Sequence, residues 1–567
     1  MKTPETANDG RIRKWYRSTF GQAAVSAGLL WAALPPCDLW PLAWIAPLWW
    51  LLLVRRKEWP GRRPYRALWL VGFLFWLAAL HWLRLPHWTT AFGWVALSFY
   101  LSFYLPVFVG LSRTAVHTLR VPVVLAAPVV WTGLELLRGH LLTGFTMASL
   151  GHTQYRWIDL IQLSDLAGAY GVSFVVMLVA ACLARMVPCE NRPRAFWPLA
   201  PALVVVAAAV LYGQVRNLGC VVKPQASVAL IQGSIDAEMK SDPERRAMIF
   251  DHYYELSGNA LARFDRVDLI IWPETMFRDP LVSYHPSAAK PADFDGSEAE
   301  FQLRLKESAR IGRTMLAETA KALDTPMLVG VDRHDFGPQE VQSFNSAVFV
   351  ARDGRLMACY DKMHLVVFGE FVPLARHFPW LHRLTPLRTS LTTGEEPVAF
   401  EIRGLRIAPN ICYETVIPHR IREQVNTLRA RGVEPDVLVN LTNDGWFWGS
   451  SELDMHLICG VFRAVECRKP LLIAANTGFS AWIDGSGRIR RQGRRHATDA
   501  ILAHVGRDPR QSWYLRHGDW LAGICLAACV FLAMVGCWGR LPPRSDATPA
   551  SVPEPVSSGR KSFGEKQ

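Results

Sequence analysis

The sequence predicts a membrane protein in two parts, a bundle of apolar helices and an α/β domain inserted before the last of them. Three observations carry that reading. Half of the 567 residues are hydrophobic, 23 are tryptophan and the mean hydropathy is positive, a balance unusual for a soluble chain. Long apolar runs crowd residues 20–212 and recur at 520–538. Between them, short β-rich runs such as SVALIQG, VDLIIWPET, TPMLVGVD and DVLVNLTND alternate with polar helical stretches at 298–323 and 419–430, the latter opened by Pro418. That alternation implies an α/β domain with sheets buried on at least one face.

A bilayer core of about 30 Å takes roughly 20 apolar helical residues. Seven candidates precede residue 215, at 20–34, 42–54, 67–85, 92–111, 121–137, 171–187 and 196–212, and the eighth is 520–538. The first two are short and separated by PPCDLWP, so they are either two spans or one hairpin that does not fully cross. Residues 1–19 hold Arg11, Arg13, Lys14 and Arg17 without a short apolar stretch and small-residue cleavage site, which predicts a retained cytoplasmic anchor. Further basic clusters fall at RRKEWPGRRPYR (55–66), near Arg113 and Arg120, at Arg185, Arg192 and Arg194, and at Arg540 and Arg544. With seven spans before the central region all of them share one side, the cytoplasmic one by the positive-inside rule.

The expected organisation is therefore a membrane part at 20–215, an external domain at 223–510 (periplasmic in a bacterium with two membranes), a last span at 517–540 and a disordered, Ser- and Pro-rich cytoplasmic tail at 541–567. The net charge of +13 follows the cytoplasmic loops, and no nucleic-acid recognition motif accompanies it. The eleven cysteines scatter without Cys-x-x-Cys spacing, so neither a metal cage, a disulfide framework nor a cofactor is expected.

Three β-rich segments carry a reactive side chain at or near a strand end, where α/β folds build their sites. VDLIIWPET puts Glu274 just past a strand, YDKMHLVVFGEFVP supplies Lys362 and Glu370, and LRIAPNICYE ends near Cys412. Singly, these read as a helix-cap neighbour, a surface charge, a loop ion pair and a core sulfur. Together they form a complete set. A thiol with a pKa of about 8.5 is mostly protonated at neutral pH and needs a base, which Glu274 supplies. An oxyanion formed by attack on an acyl carbonyl needs donors, which Lys362 and the Tyr413 amide supply.

WPE at 272–274, DKMHLVVFGEFVP at 361–373 and ICYE at 411–414 resemble the Glu-Lys-Cys motifs of the nitrilase (carbon-nitrogen hydrolase) superfamily. With the eight apolar runs, LTNDGWF at 441–447 and ECRKPLLIAANTGFSAWID at 466–484, the chain resembles the apolipoprotein N-acyltransferase family over nearly its whole length. The resemblance implies an αββα sandwich facing the periplasm on a base in the bacterial inner membrane. It implies Glu274 as general base, Lys362 as transition-state stabiliser and Cys412 as nucleophile, with Glu370 positioning the lysine and Tyr413 and Glu414 supporting the nucleophile and the acceptor. It implies a phospholipid donor such as phosphatidylethanolamine, acceptors that are apolipoproteins with an N-terminal diacylglyceryl-cysteine, and ping-pong kinetics through a thioester. The chain departs from the family pattern at Ser234 in IQGSI, at Ser241, and at GFTM (144–147). These positions bear on acyl-chain packing and not on the triad.

The aromatics of 81–94 either form an interfacial belt or line a lipid path. Glu135 and Arg138 either pair or touch a headgroup, and the loops at 280–297 and 368–388 are either lids or plain surface. Two rival functions remain: a membrane-tethered amidase acting on small amides through the same triad, and a transporter or scaffold, against which stands the lack of a matching pair of broken half-helices.

Overall fold

The computed structural model describes residues 18–538 except 190–193, 220–221, 237–238, 241, 292–293, 376, 379 and 381–389. The basic N-terminal segment, Arg192, Ser241, Arg540, Arg544, the tail and part of the 368–388 loop therefore lie outside the described residues.

From residue 18 to 217 the described chain is mostly helical: α1 (Thr19–Ala33), α2 (Leu48–Arg55), α3 (Pro64–Ala79), α4 (Thr90–Ser102), α5 (Tyr104–Arg113), α6 (Val123–His140), α7 (Ile158–Ile161), α8 (Ser164–Met186) and α9 (Leu199–Asn217). Every apolar run read from the sequence carries helix. Among the described residues, four stretches are long and apolar enough to cross a membrane: Thr90–Thr118, Ser164–Met186, Leu199–Asn217 and Trp520–Trp538. Phe92, Leu203, Val204 and Phe531 on these helices are exposed, as a lipid-facing surface requires. α8 is broken at Ala167 and Gly168, whose backbone is not helical, so its continuous part starts just after Gly168, close to the expected 171; the short turn before the break carries Asp165, which Arg468 and Arg216 bond.

The chain continues through β1 (Ala226–Gln232), α10 (Arg246–Arg263), β2 (Leu269–Tyr284), α11 (Glu298–Ala322), β3 (Met327–Phe336), β4 (Val341–Val350) and β5 (Leu356–Asp361). There follow β6 (Phe400–Ile402), β7 (Leu405–Ile411), α12 (Pro418–Ala430), β8 (Val437–Thr442), α13 (Glu452–Cys467) and β9 (Leu471–Ala475). The last elements are β10 (Ala481–Ile483), β11 (Ile489–Gln492), β12 (Asp499–Val505), α14 (Trp513–His517) and α15 (Trp520–Trp538). The strands make two six-stranded sheets, ordered β12-β1-β2-β3-β4-β5 and β11-β10-β9-β8-β7-β6.

Alternation along each strand builds the layers. Val228, Leu230, Leu269 and Ile271 point between the sheets and meet Ile407, Ile411, Val437 and Val439 of the second sheet. Their neighbours Ala229, Ile231, Ile270 and Trp272 point outward into a core shared with Ile249 and Tyr253 of α10 and Leu316 of α11. Period-two burial on both faces is what a sheet covered on both sides demands. On the far side, Ala408, Leu438 and Ile473 pack beneath α12 and α13, and the same cluster runs on into Leu150, Ile161, Val172 and Val176 of the helical part. The arrangement is an αββα sandwich whose last helical layer is also packed against the apolar helices.

Candidate active site

Cys412 sits where β7 ends at Ile411 and a 3-10 turn, Cys412–Val416, begins. Its φ is +51°, a left-handed conformation that costs a non-glycine residue about 1–2 kcal/mol. Neighbouring bonds hold it there. The Cys412 carbonyl accepts from Asn440 Nδ2 at 3.0 Å and from His456 Nε2 at 3.2 Å, and the preceding Ile411 amide donates to Glu414 at 2.7 Å.

Glu274 does not lie past the end of its strand, as the sequence suggested. β2 runs through it, with register shifts against β3 between Trp272 and Phe277 and again before Leu281, and with Thr275 at φ +52°. Pro273 explains both the expectation and the outcome: it has no N–H for the ladder, and in a sheet it is accommodated at a bulge. Within the irregular stretch the Glu274 carboxylate is 8% exposed. Its Oε1 accepts from Asn345 Nδ2 at 2.6 Å and its Oε2 from the Asn443 amide at 2.9 Å.

Lys362 follows directly on β5 and is 1% exposed. Its Nζ lies 2.6 Å from Glu370 Oε1 and 3.7 Å from Glu274 Oε1, so the two carboxylates share one ammonium. Burial opposes the charge, but Glu370, Cys412 and Glu274 outweigh it and raise the lysine further, leaving it protonated. Glu370 is fixed in turn by the Val366 amide at 2.8 Å. Burial pushes the Cys412 thiol well above its usual range; Glu274 adds to that shift while Lys362 opposes it. The resting thiol is therefore protonated at neutral pH.

Glu414 accepts from the Tyr360 hydroxyl and from the amides of Met363, His364 and Ile411 at 2.7–3.0 Å. It ties the loop that carries Lys362 to the strand end that carries Cys412. The Tyr413 hydroxyl donates to the Gly144 carbonyl at 3.0 Å, within the GFTM stretch, and its ring joins an apolar cluster with Trp76, Trp82, Leu101, Phe145 and Met147. Apolar side chains of the helical part thus reach the residue next to Cys412. Glu135 and Arg138 do not pair: Glu135 Oε1 accepts from Trp131 and the Leu150 amide, while Arg138 donates to Ser149.

All six residues singled out in the sequence thus gather around one strand end. Asn345, Asn440, Asn443, Asp444 and His456 were not singled out. LTND stands out in the sequence only as a segment, and the readable signal for His456 is a polar residue on the apolar helix DMHLICGVF. Asp444, Glu452 and His456 bring possible ligand atoms within 4.8 Å of one another. Both ring nitrogens of His456 are committed to oxygen acceptors, however, so this trio is not a metal cage.

Residues 227–514 match the carbon-nitrogen hydrolase family, and the two paired sheets fall within that match, so the α/β domain belongs to that class. Residues 26–182 match the apolipoprotein N-acyltransferase N-terminal domain. The apolipoprotein N-acyltransferase of Rhodopirellula baltica is 31% identical, over 91% of this chain and 96% of its own. That of Geobacter metallireducens is 32% identical, over 91% and 95%. Among solved structures, an amidase from Nesterenkonia sp. aligns at 15% identity and a TM-score of 0.35, over 53% of this chain and 95% of its own. The chain belongs to the apolipoprotein N-acyltransferase family.

Proposed function

We propose that this protein is a membrane enzyme that moves a fatty acyl chain from a phospholipid, phosphatidylethanolamine first among them, to the α-amine of the diacylglyceryl-cysteine at an apolipoprotein N-terminus. The observation that carries the mechanism is the half-buried thiol of Cys412, protonated at rest and acted on by the Glu274 carboxylate and the Lys362 ammonium. Such a thiol is inert until a base takes its proton as the sulfur attacks. Glu274 takes that proton. Cys412 Sγ bonds to the ester carbonyl carbon, and Lys362 with the Tyr413 amide stabilises the oxyanion. The bond to the glycerol oxygen then breaks, Glu274 returns the proton to that oxygen, and a lysophospholipid leaves behind a thioester.

In the second half-reaction the acceptor amine attacks the thioester carbonyl and gives its proton to Glu274. The C–S bond breaks, and the proton passes to the thiolate. One nucleophile serving two half-reactions gives ping-pong kinetics. Glu370 positions Lys362 through its 2.6 Å bond, and Glu414 acts as a strut behind the nucleophile. Both substrates carry acyl chains, and the apolar cluster that joins Tyr413 to the helical part supports a lipid approach from that side. The basic clusters of the sequence support an inner-membrane protein of eight spans with the sandwich in the periplasm.

Intact-mass spectrometry of the purified enzyme and its Cys412→Ser variant after incubation with phosphatidylethanolamine tests this reading. The expected result is a hydroxylamine-labile adduct of fatty-acyl mass, absent from the variant and discharged by a diacylglyceryl-cysteine peptide. Cys412-dependent turnover of small amides without any lipid adduct would replace the transferase with a tethered amidase.

A further inference from the structure

His456 has no part in the chemistry above, yet it stands directly behind the nucleophile. It projects from α13, is buried, and both of its ring nitrogens face oxygen acceptors: Nδ1 lies 3.2 Å from Asp444 Oδ1 and Nε2 lies 3.2 Å from the Cys412 carbonyl oxygen. A neutral imidazole has one donor nitrogen and one acceptor nitrogen, so it would set a lone pair against one of those oxygens. Only the doubly protonated ring donates to both.

We propose that Asp444 and His456 form a positioning device for the nucleophile turn, an internal imidazolium that fixes the Cys412–Tyr413 peptide and so aims and polarises the Tyr413 amide at the oxyanion. This inference rests on the reading of that amide as an oxyanion donor. A trans peptide is planar, with its C=O and N–H pointing in opposite directions. Because His456 and Asn440 grip the Cys412 carbonyl from one side, the Tyr413 N–H is held toward the other. As a first-turn amide it has no intrahelical acceptor of its own. The left-handed φ of Cys412 needs surroundings that over-determine it, and the two carbonyl bonds supply them. A charged donor on the C=O also strengthens the N–H of the same peptide as a donor, the cooperative effect of linked hydrogen bonds.

The titratable groups that face His456 are Asp444 and Glu452, one turn back on α13; from Cys412 it meets the backbone carbonyl. Burial and Asp444 drive the Glu452 carboxyl well up. Asp444 is braced by the Thr442 hydroxyl at 2.8 Å. Burial opposes charge on His456, but Asp444 outweighs it and lifts the imidazolium to about 9. The device is therefore charged at neutral pH and is lost as pH rises through that value.

Single-turnover acylation of the full-length detergent-solubilised enzyme by phosphatidylethanolamine, read by intact mass across neutral and alkaline pH, tests the proposal with His456→Gln and Asp444→Asn. Glutamine keeps an N–H for the Cys412 carbonyl but carries no charge. The expected loss in its acylation rate constant is on the order of tenfold to a hundredfold, with half-saturation by donor unchanged within about twofold. In Asp444→Asn the alkaline loss of rate moves from about 9 toward the ordinary imidazole range near about 6.5. Rates within about twofold of wild type, a loss that only tracks lowered thermal stability, or an unshifted alkaline limb would overturn it. A wild-type enzyme that never acylates Cys412 would sink the underlying acyl-enzyme reading, and the device with it.

Discussion

Glu414 is the residue on which the geometry of the site converges. Its carboxylate is 3% exposed and receives a hydroxyl and three amides from two separate segments. Glu414→Gln keeps the shape but turns one acceptor into an NH2 that faces donors. An orphaned buried donor costs about 1–3 kcal/mol, so thermal unfolding should fall by that equivalent, and Cys412 acylation should fall with it as the Lys362 loop separates from the nucleophile. Tyr360→Phe removes a donor and leaves the amides in place, so it should cost about 1 kcal/mol and largely spare acylation. Equal effects of the two variants on acylation would show that Glu414 acts through packing alone. At this scale the sequence is legible where chemistry repeats in short motifs: Glu274, Lys362 and Cys412 each stand in a readable string. Asn345 and Asn443 are not legible, because each finds Glu274 across 71 and 169 residues of chain, and an asparagine in a strand or turn gives no local sign of such a partner.

The decisive elements are β2 and β3. The kinked stretch at Pro273–Thr275 comes so close to β3 that a Cβ at Gly330 would meet the Pro273 carbonyl oxygen, the Thr275 nitrogen at 2.5 Å and the Glu274 Cα at 2.6 Å. All three are backbone atoms, which yield only by moving the strand. Gly330→Ala should therefore cost about 1–3 kcal/mol, the usual penalty of overpacking, and should displace Glu274, the proposed general base. The expected readout is a fall in the acylation rate greater than the fall in stability explains, measured by thermal unfolding beside single-turnover acylation. A stable variant with wild-type rates would mean that the base tolerates a shifted strand. The sequence showed a strand ending at WPE because Pro273 looks like a stop. It could not show that β3 carries a glycine opposite, which lets the strand kink and continue. The helices were easier to read, since burial in an apolar run is a composition signal. The turn ahead of the break at Gly168 escaped that signal, because Asp165 reads as polar until its arginines are seen.

At the scale of the whole molecule, the sandwich and the helical part are held by a continuous apolar core with buried charges set into it. Asp165 near the start of α8 accepts from Arg468, just past α13, at 2.8 Å, from Arg216 of α9 at 2.8 Å and from the Tyr212 hydroxyl. Glu466 of α13 caps the Ala169 amide at 2.9 Å and pairs with Arg463. The contacts of Arg468 with Asp165 and of Glu466 with Ala169 join residues about 300 positions apart, so the apolar runs and β-rich strings that revealed two parts carried no sign of how the parts dock. The two partners of Asp165 differ in a way that decides the energetics. Arg468 and Asp165 are essentially fully buried, whereas the Arg216 side chain is 26% exposed. Removing one member of a buried pair strands the other charge and costs about 3–5 kcal/mol; losing a partly solvated arm costs about 0–1 kcal/mol. Asp165→Asn should therefore lower the thermal unfolding midpoint far more than Arg216→Ala, and should open the junction near 505–513 to limited proteolysis in detergent. Acylation by phospholipid should fall in the same variant, since Tyr413 and the Gly144 carbonyl lose their common frame when the sandwich loosens. If the two variants cost the same, the junction is held by its apolar contacts, and the buried charges serve only to fix which face of α13 meets α8.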